Sequence, residues 1–357
     1  MGRLLAIDAR GTPTFVEALQ RAWEAGDAVL PVDPRLPAPA RARLLDDLGD
    51  RPAGPGDALI VATSGTTGRS KGAILTHDAL VASARATSSR LEVDPATDHW
   101  LACLPLAHVG GLSVVTRALL TGARLTVHDG FDPDAVASSP ATLVSLVATA
   151  LRRADTSHFR VVVVGGSAPP ADLPDNAVTT YGMTETGSGI VYDGLPLDGV
   201  EVRLDPAKRE ILVKGPMLLR AYRTAASDVA AVDPDGWFAT GDAGRYAPDG
   251  RLIVDGRLSE LIITGGEKVW PQPVEDVVRR HPGVSDVAVI GRPDPEWGER
   301  VVAYVVPAQP DRPPTLDELR GLVKEDLAAW CAPAELVLLD ALPKTALGKV
   351  RRGELPG

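Results

Sequence analysis

The chain has little cysteine, little lysine and no long apolar run. Only Cys103 and Cys331 occur among 357 residues, too few for a disulfide framework, so both read as small core residues. No apolar run reaches the ~18 residues that a membrane helix needs. The start, Met1-Gly2-Arg3-Leu4-Leu5-Ala6, leads into no long apolar segment of the secretory kind, and Ala6 stands where a myristoylation signal wants Ser or Thr. Positive charge is also short: 37 basic against 47 acidic residues leave a net charge of −10. That balance excludes nucleic acid and an anionic membrane as bulk partners. Any polyanionic ligand must be held by local features, and a cytoplasmic enzyme is expected. No segment fits the Gly-x-x-x-x-Gly-Lys-Ser/Thr spacing of a Walker loop. Lysine stands at positions 71, 208, 214, 268, 324, 344 and 349 only, so the other thirty of the 37 basic residues are arginine. A lysine here marks a place where a compact ammonium is wanted.

What is present is an ordinary globular composition, 45% hydrophobic and 24% charged, long enough for one large domain or two. Its most informative stretch runs from Thr63 through Ser64, Gly65, Thr66, Thr67, Gly68, Arg69 and Ser70 to Lys71-Gly72. The apolar run Ala58-Leu59-Ile60-Val61-Ala62 leads into it. A strand therefore opens into a loop of amide N–H groups, hydroxyls and one ammonium, which suits the β- and γ-phosphates of a nucleotide.

Around that loop the pattern alternates. Amphipathic helices are expected over 14–26 and 38–49, about an extended Pro-rich connector over 31–37. Strands are expected at 99–104, 123–128 and 159–164, and helices at 76–90, 110–121 and 141–153. The alternation and the apolar strands predict an α/β fold with parallel-type sheets covered by helices. Residues 200–256 change to short strands and Asp-Gly turns, a small antiparallel β unit. Beyond Arg257 a β-α-β-β-α-β-like pattern follows, with helices at 273–281 and 315–329 and strands at 284–291 and 300–307. The expected boundary lies at 256–260, giving an N-terminal domain 1–256 and a C-terminal domain 257–357.

Several motifs in order carry a resemblance. The loop 63–72, Gly165-Gly166-Ser167, Tyr181-Gly182-Met183-Thr184-Glu185-Thr186, Thr240-Gly241-Asp242, Asp255-Gly256-Arg257-Leu258-Ser259-Glu260, Gly265-Gly266-Glu267-Lys268 and Leu342 to Val350 resemble motifs of the adenylate-forming enzymes. That superfamily includes acyl- and aryl-CoA synthetases, and the resemblance covers nearly the whole chain. It implies ATP, Mg²⁺ and coenzyme A. In that light Tyr181 stacks on adenine, Gly182 follows it, Thr184 meets phosphate and Glu185 holds the metal. Gly165, Gly166 and Ser167 line the adenine and acyl pockets. Asp242 accepts the ribose hydroxyls, with Arg257 nearby. Gly265 and Gly266 line the pantetheine tunnel after a small mobile α+β C-terminal lid turns about Ser259, where many relatives carry Asp or Lys. Lys349 is the implied catalytic lysine of adenylation. Lys268 replaces an Asn common in relatives, and its role stays open between a CoA phosphate contact and a surface charge. Only 62 residues precede the loop, so a reduced N-terminal subdomain is expected, with a homo-oligomer as one way to cover the surface exposed.

Pro105-Leu106-Ala107-His108-Val109-Gly110-Gly111-Leu112 bears on the acid. His108, between a proline turn and a Gly-Gly, either stands over the substrate or packs in the core. The octapeptide, Thr186 to Val200, and Trp270-Pro271-Gln272-Pro273-Val274-Glu275 resemble the short actinobacterial o-succinylbenzoate–CoA ligases of menaquinone biosynthesis. The implied activity is two-step ligation of a small carboxylic acid, suspected to be o-succinylbenzoate, with no nucleic acid or membrane partner. The alternatives are another aryl or acyl acid, a carrier-protein acceptor in place of CoA, or a non-catalytic nucleotide-binding regulator.

Overall fold

The apolar run ahead of Thr63 becomes the strand Asp57–Thr63, whose first five residues are buried. In the computed structural model, which describes residues 2–63, 70–170, 172–344 and 350–356, this strand is central to a six-stranded sheet. Parallel strands Leu4–Asp8 and Ala28–Val32 lie on one side of it, and Lys71–Thr76 pairs antiparallel on the other. The expected Pro-rich connector thus begins as the end of a wholly buried strand. Helices Pro13–Glu24 and Ala38–Leu48 form where amphipathic spacing and an early proline favour them. Leu44 and Leu48 of the second helix pack with Leu30, Val32, Ile60 and Ile74. Each such side chain contributes about 1.5–3 kcal/mol through burial.

The second sheet has seven strands. Arg124–Val127, His99–Ala102, Leu143–Val147, Val161–Gly165 and Ala177–Met183 run parallel, and Ser188–Tyr192 and Leu195–Pro196 close one side antiparallel. The helix expected over 141–153 is instead the strand Leu143–Val147 followed by one helical turn, Ala148–Leu151. A strand covered on both faces is apolar on both, here at every position but Ser145, so its pattern has no period of two to betray it. The helices His77–Arg90 and Val109–Thr121 form where expected. The first is capped by Thr76 accepting from Ala79 N, and the second ends at Gly122 with φ +77°.

Short strands occupy 201–257 as expected, yet Ala221–Arg223 leaves that group. It pairs antiparallel with Lys71–Thr76 and extends the first sheet. The chain divides into two units, Met1–Arg203 with Leu212–Ala239, and Leu204–Ile211 with Thr240–Gly357. The second unit holds the paired segments Asp242–Tyr246 and Leu252–Arg257. It also holds an α+β body. There Val284–Asp294, Gly298–Pro307, Ile262–Thr264 and Glu267–Val269 form a sheet, with Glu335–Leu338 added parallel. Helices Pro271–Val278 and Leu316–Asp326 pack on that sheet, the second started by a Thr315/Glu318 capping box. Among the described residues no helix is long and apolar enough to cross a membrane.

Candidate active site

In the first unit the expected nucleotide residues gather at strand ends. Thr63 ends its strand opposite Lys71, and its hydroxyl donates to Lys71 O at 3.1 Å. Ser64, Gly65, Thr66, Thr67 and Gly68 lie outside the described residues. Gly165 ends the neighbouring sheet's strand, where a Cβ would stand 2.5 Å from Thr180 Oγ1. Gly166 follows with φ +83°, and Ser167 is exposed. Tyr181 and Gly182 close the adjacent strand, and a Cβ on Gly182 would meet Ser188 O at 2.2 Å. Close backbone approach therefore dictates Gly182, while at Gly165 the crowding comes from the Thr180 side chain.

Thr184-Glu185-Thr186 forms one 3₁₀ turn. Buried Thr186 fastens it, its hydroxyl accepting from Met183 N at 2.9 Å and donating to Ser188 O at 2.6 Å. Glu185 O accepts from Leu219 N at 2.8 Å. The Glu185 carboxylate accepts from the Tyr222 hydroxyl at 2.6 Å, and the Lys71 ammonium lies 3.9 Å from the centre of the Tyr222 ring. The structure thus brings Lys71 and Glu185 to one tyrosine that the sequence analysis passed over.

His108 stands at the N-cap position of the helix Val109–Thr121 without a side-chain capping bond, its Nε2 4.0 Å from Asp33 Oδ2. Desolvation holds its pKa below the usual histidine value, with Asp33 opposing that shift. The same helix carries Arg117, which the sequence analysis also missed. Its side chain is 2% exposed and lies 4.7 Å from the Trp100 ring. Nη2 donates to Ser188 Oγ at 2.9 Å, while Nε, Nη1 and the neighbouring Trp100 Nε1 are buried without a partner among the described residues. Burial pushes the Arg117 pKa down. Nothing in the sequence separates Arg117 from the other arginines.

In the second unit Asp242, 6% exposed, pairs with Arg257 Nε at 2.8 Å. Arg257 Nη1 also donates to Thr240 O at 3.1 Å. Gly241 between them has φ +74°, and Asp242 N donates to Thr240 Oγ1 at 3.1 Å. Gly265 and Gly266 turn the hairpin Ile262–Thr264/Glu267–Val269 with φ +58° and +85°. A Cβ on Gly265 would stand 2.8 Å from exposed Trp297. Lys268 is exposed on that hairpin. Lys349 lies outside the described residues, but its flanks are held: Lys344 pairs with Val350 in a bridge and forms an ion pair with Asp286. Two residues further on, Arg352 spans Glu260 at 3.3 Å and buried Glu275 at 2.6 Å.

Among the described residues no group of three His, Cys, Asp or Glu side chains could hold a metal. A lone carboxylate such as Glu185 fits magnesium, which commonly binds through one or two carboxylates with phosphate oxygens and water completing its shell.

The AMP-binding enzyme family model matches residues 49–223, and the AMP-binding enzyme C-terminal domain model matches 273–349. A Mycobacterium tuberculosis protein named probable 2-succinylbenzoate–CoA ligase is 41% identical over 324 residues, covering 84% of this chain and 83% of its own length. Indoleacetate–CoA ligase of Aromatoleum aromaticum is 36% identical, over 99% of this chain and 73% of its own. Among solved structures, o-succinylbenzoate CoA synthetase from Bacillus subtilis, in complex with the acyl-adenylate intermediate, superposes with TM-score 0.88 at 28% identity. It covers 100% of this chain and 88% of that one.

Proposed function

This chain belongs to the AMP-binding enzyme family as an AMP-forming acid–CoA ligase, and from that premise we propose that the acid it activates is 2-succinylbenzoate. The carrying observation is Arg117. A buried guanidinium with two nitrogens unpartnered among the described residues costs several kcal/mol unless an anion completes it. A monocarboxylate spends its only charge at the reacting phosphorus. 2-Succinylbenzoate has a second carboxylate to place between Arg117, Ser188 and the Trp100 N–H.

In the first step the free carboxylate of the acid attacks the α-phosphorus of ATP. The bond to the bridging oxygen breaks and pyrophosphate leaves. Lys71 and Thr63 hold the departing phosphates, and Glu185 would hold a magnesium ion, which when bound would neutralise phosphate charge. Tyr181 stacks on adenine, and Asp242, oriented by Arg257, accepts the ribose hydroxyls. Lys349 stabilises the charge that builds in the transition state. Residues 257–357 then turn about Ser259, as lids of this kind do. Gly265 and Gly266 enter, the CoA thiol attacks the acyl carbon and AMP leaves.

The test is pyrophosphate release and thioester formation across 2-succinylbenzoate, benzoate, indoleacetate and medium-chain fatty acids. 2-Succinylbenzoate should exceed the monocarboxylates in kcat/KM by at least a hundredfold; equal rates would remove this substrate. Lys349→Ala should abolish adenylation yet spare thioester formation from supplied adenylate. Equal loss of both half-reactions would refute its role. The similarity to indoleacetate–CoA ligase favours a second reading, an aryl monocarboxylate, which the same panel separates.

A further inference from the structure

We propose that Tyr222 is a positioning residue that organises the metal and pyrophosphate end of the site, holding Glu185 and Lys71 apart and each correctly aimed. The inference rests on the ligase reading above.

The register places the residue. Tyr222 lies opposite Ala73 in the antiparallel pair, so Lys71, two residues before Ala73, is its diagonal neighbour on the same sheet face. That geometry puts the Lys71 ammonium 3.9 Å from the ring centre. The other end of the same side chain donates its hydroxyl to Glu185 Oε1 at 2.6 Å. The turn bearing Glu185 is docked on the segment leading to Tyr222 through Leu219 N to Glu185 O at 2.8 Å. One phenol therefore occupies the space between a cation and an anion that two chain segments deliver to the same place. Among the described residues no ion pair joins Lys71 to Glu185.

The physical consequence concerns the empty enzyme. A flexible ammonium and a carboxylate this close, in a partly desolvated place, would collapse into a pair. Nucleotide and metal would then have to break that pair before using either group. The ring face gives Lys71 a cation–π partner that a phosphate oxygen easily displaces. The hydroxyl satisfies one lone-pair position of Glu185 and leaves its others for the metal. The site is thereby preorganised, not quenched.

Mn²⁺ is the probe, titrated by electron paramagnetic resonance with the β,γ-methylene analogue of ATP, which cannot release pyrophosphate. Tyr222→Phe should raise the Mn²⁺ dissociation constant about tenfold, the scale of one charge-assisted hydrogen bond. Pyrophosphate release by that variant should return to within about twofold of wild type at saturating metal, and its thermal midpoint should stay put. Tyr222→Leu, which also removes the ring, should weaken the nucleotide analogue itself at saturating Mn²⁺. Unchanged Mn²⁺ affinity in Tyr222→Phe overturns this proposal alone, provided wild type binds the pair. So does a loss that saturating metal does not restore. Wild-type enzyme that binds no Mn²⁺ with the analogue overturns the ligase reading together with this one.

Discussion

Arg117 and Arg223 are both only 2% exposed and both lie in the first unit, yet their surroundings differ completely. Arg223 has a partner at every nitrogen. Nε meets Asp228 at 3.1 Å, Nη1 meets Arg51 O at 2.9 Å, and Nη2 meets Pro52 O at 3.0 Å. It closes a gap between the sheet and the loop before Asp57. Arg117 has one hydroxyl, one indole face and two orphan nitrogens. A desolvated charge with full satisfaction is architecture. One left incomplete is a cost the fold bears for a ligand. Burial alone would have ranked the two residues alike.

The largest effect that could break this contrast is on activity. Arg117→Met should lower kcat/KM for 2-succinylbenzoate at least a hundredfold while leaving thermal stability unchanged or higher, since an apolar replacement removes an unpaid desolvation cost. If stability collapsed with activity, Arg117 would be another Arg223. The next effect is the mirror image. Arg223→Met should cost about 3 kcal/mol of stability, because two carbonyls lose their donor and Asp228 keeps only Arg51 and Arg220. The fraction that stays folded should keep its kcat/KM, a separation that denaturant titration beside kinetics would reveal.

A third, half-buried cation sharpens the rule in the second unit. Arg352 joins Glu260 and Glu275 at the base of the segment that follows Lys349. Burial already holds the Glu275 carboxyl above its usual pKa, against the opposing pull of Arg352. A carboxyl raised in the folded state favours folding at low pH and loses that contribution as pH rises through its folded pKa. Arg352→Met removes the opposing cation, so its stability loss should be small near pH 4 and grow towards pH 7. A loss independent of pH would place its cause elsewhere than Glu275. The smallest effect is on His108, which desolvation keeps neutral at pH 7. Profiles of kcat/KM should show no His108-dependent change between pH 7 and 8.5, a limb appearing only below the ordinary histidine range. His108→Gln should remove that limb alone.

Much of this was legible in the chain. Gly182 follows from a backbone contact that tolerates no Cβ, Gly165 from the close approach of the Thr180 hydroxyl, and Gly265 from a positive φ against Trp297. Helices with a clear apolar stripe, such as Pro13–Glu24, form where the periodicity predicts them. The expected domain boundary near 256–260 remains part of the proposed lid motion. The helix assigned to 141–153 failed because Leu143–Val147 is buried nearly throughout, and a run apolar on both faces, broken only by Ser145, carries no period of two. Tyr222 and Arg117 went unseen because neither belongs to a local pattern. Each draws its meaning from partners far off along the chain: Glu185 is 37 residues from Tyr222, and Ser188 is 71 from Arg117.

By itself the sequence determined the family, the nucleotide motifs and their order, since those rest on residue types at short spacings whose chemistry is local. Only the tertiary structure decided that Ala221–Arg223 joins the first sheet and sets Tyr222 between Lys71 and Glu185. It alone decided that, among the described residues, Arg117 is buried and incomplete. Strand register and desolvation are properties of packed neighbours, and no stretch of sequence contains its own neighbours.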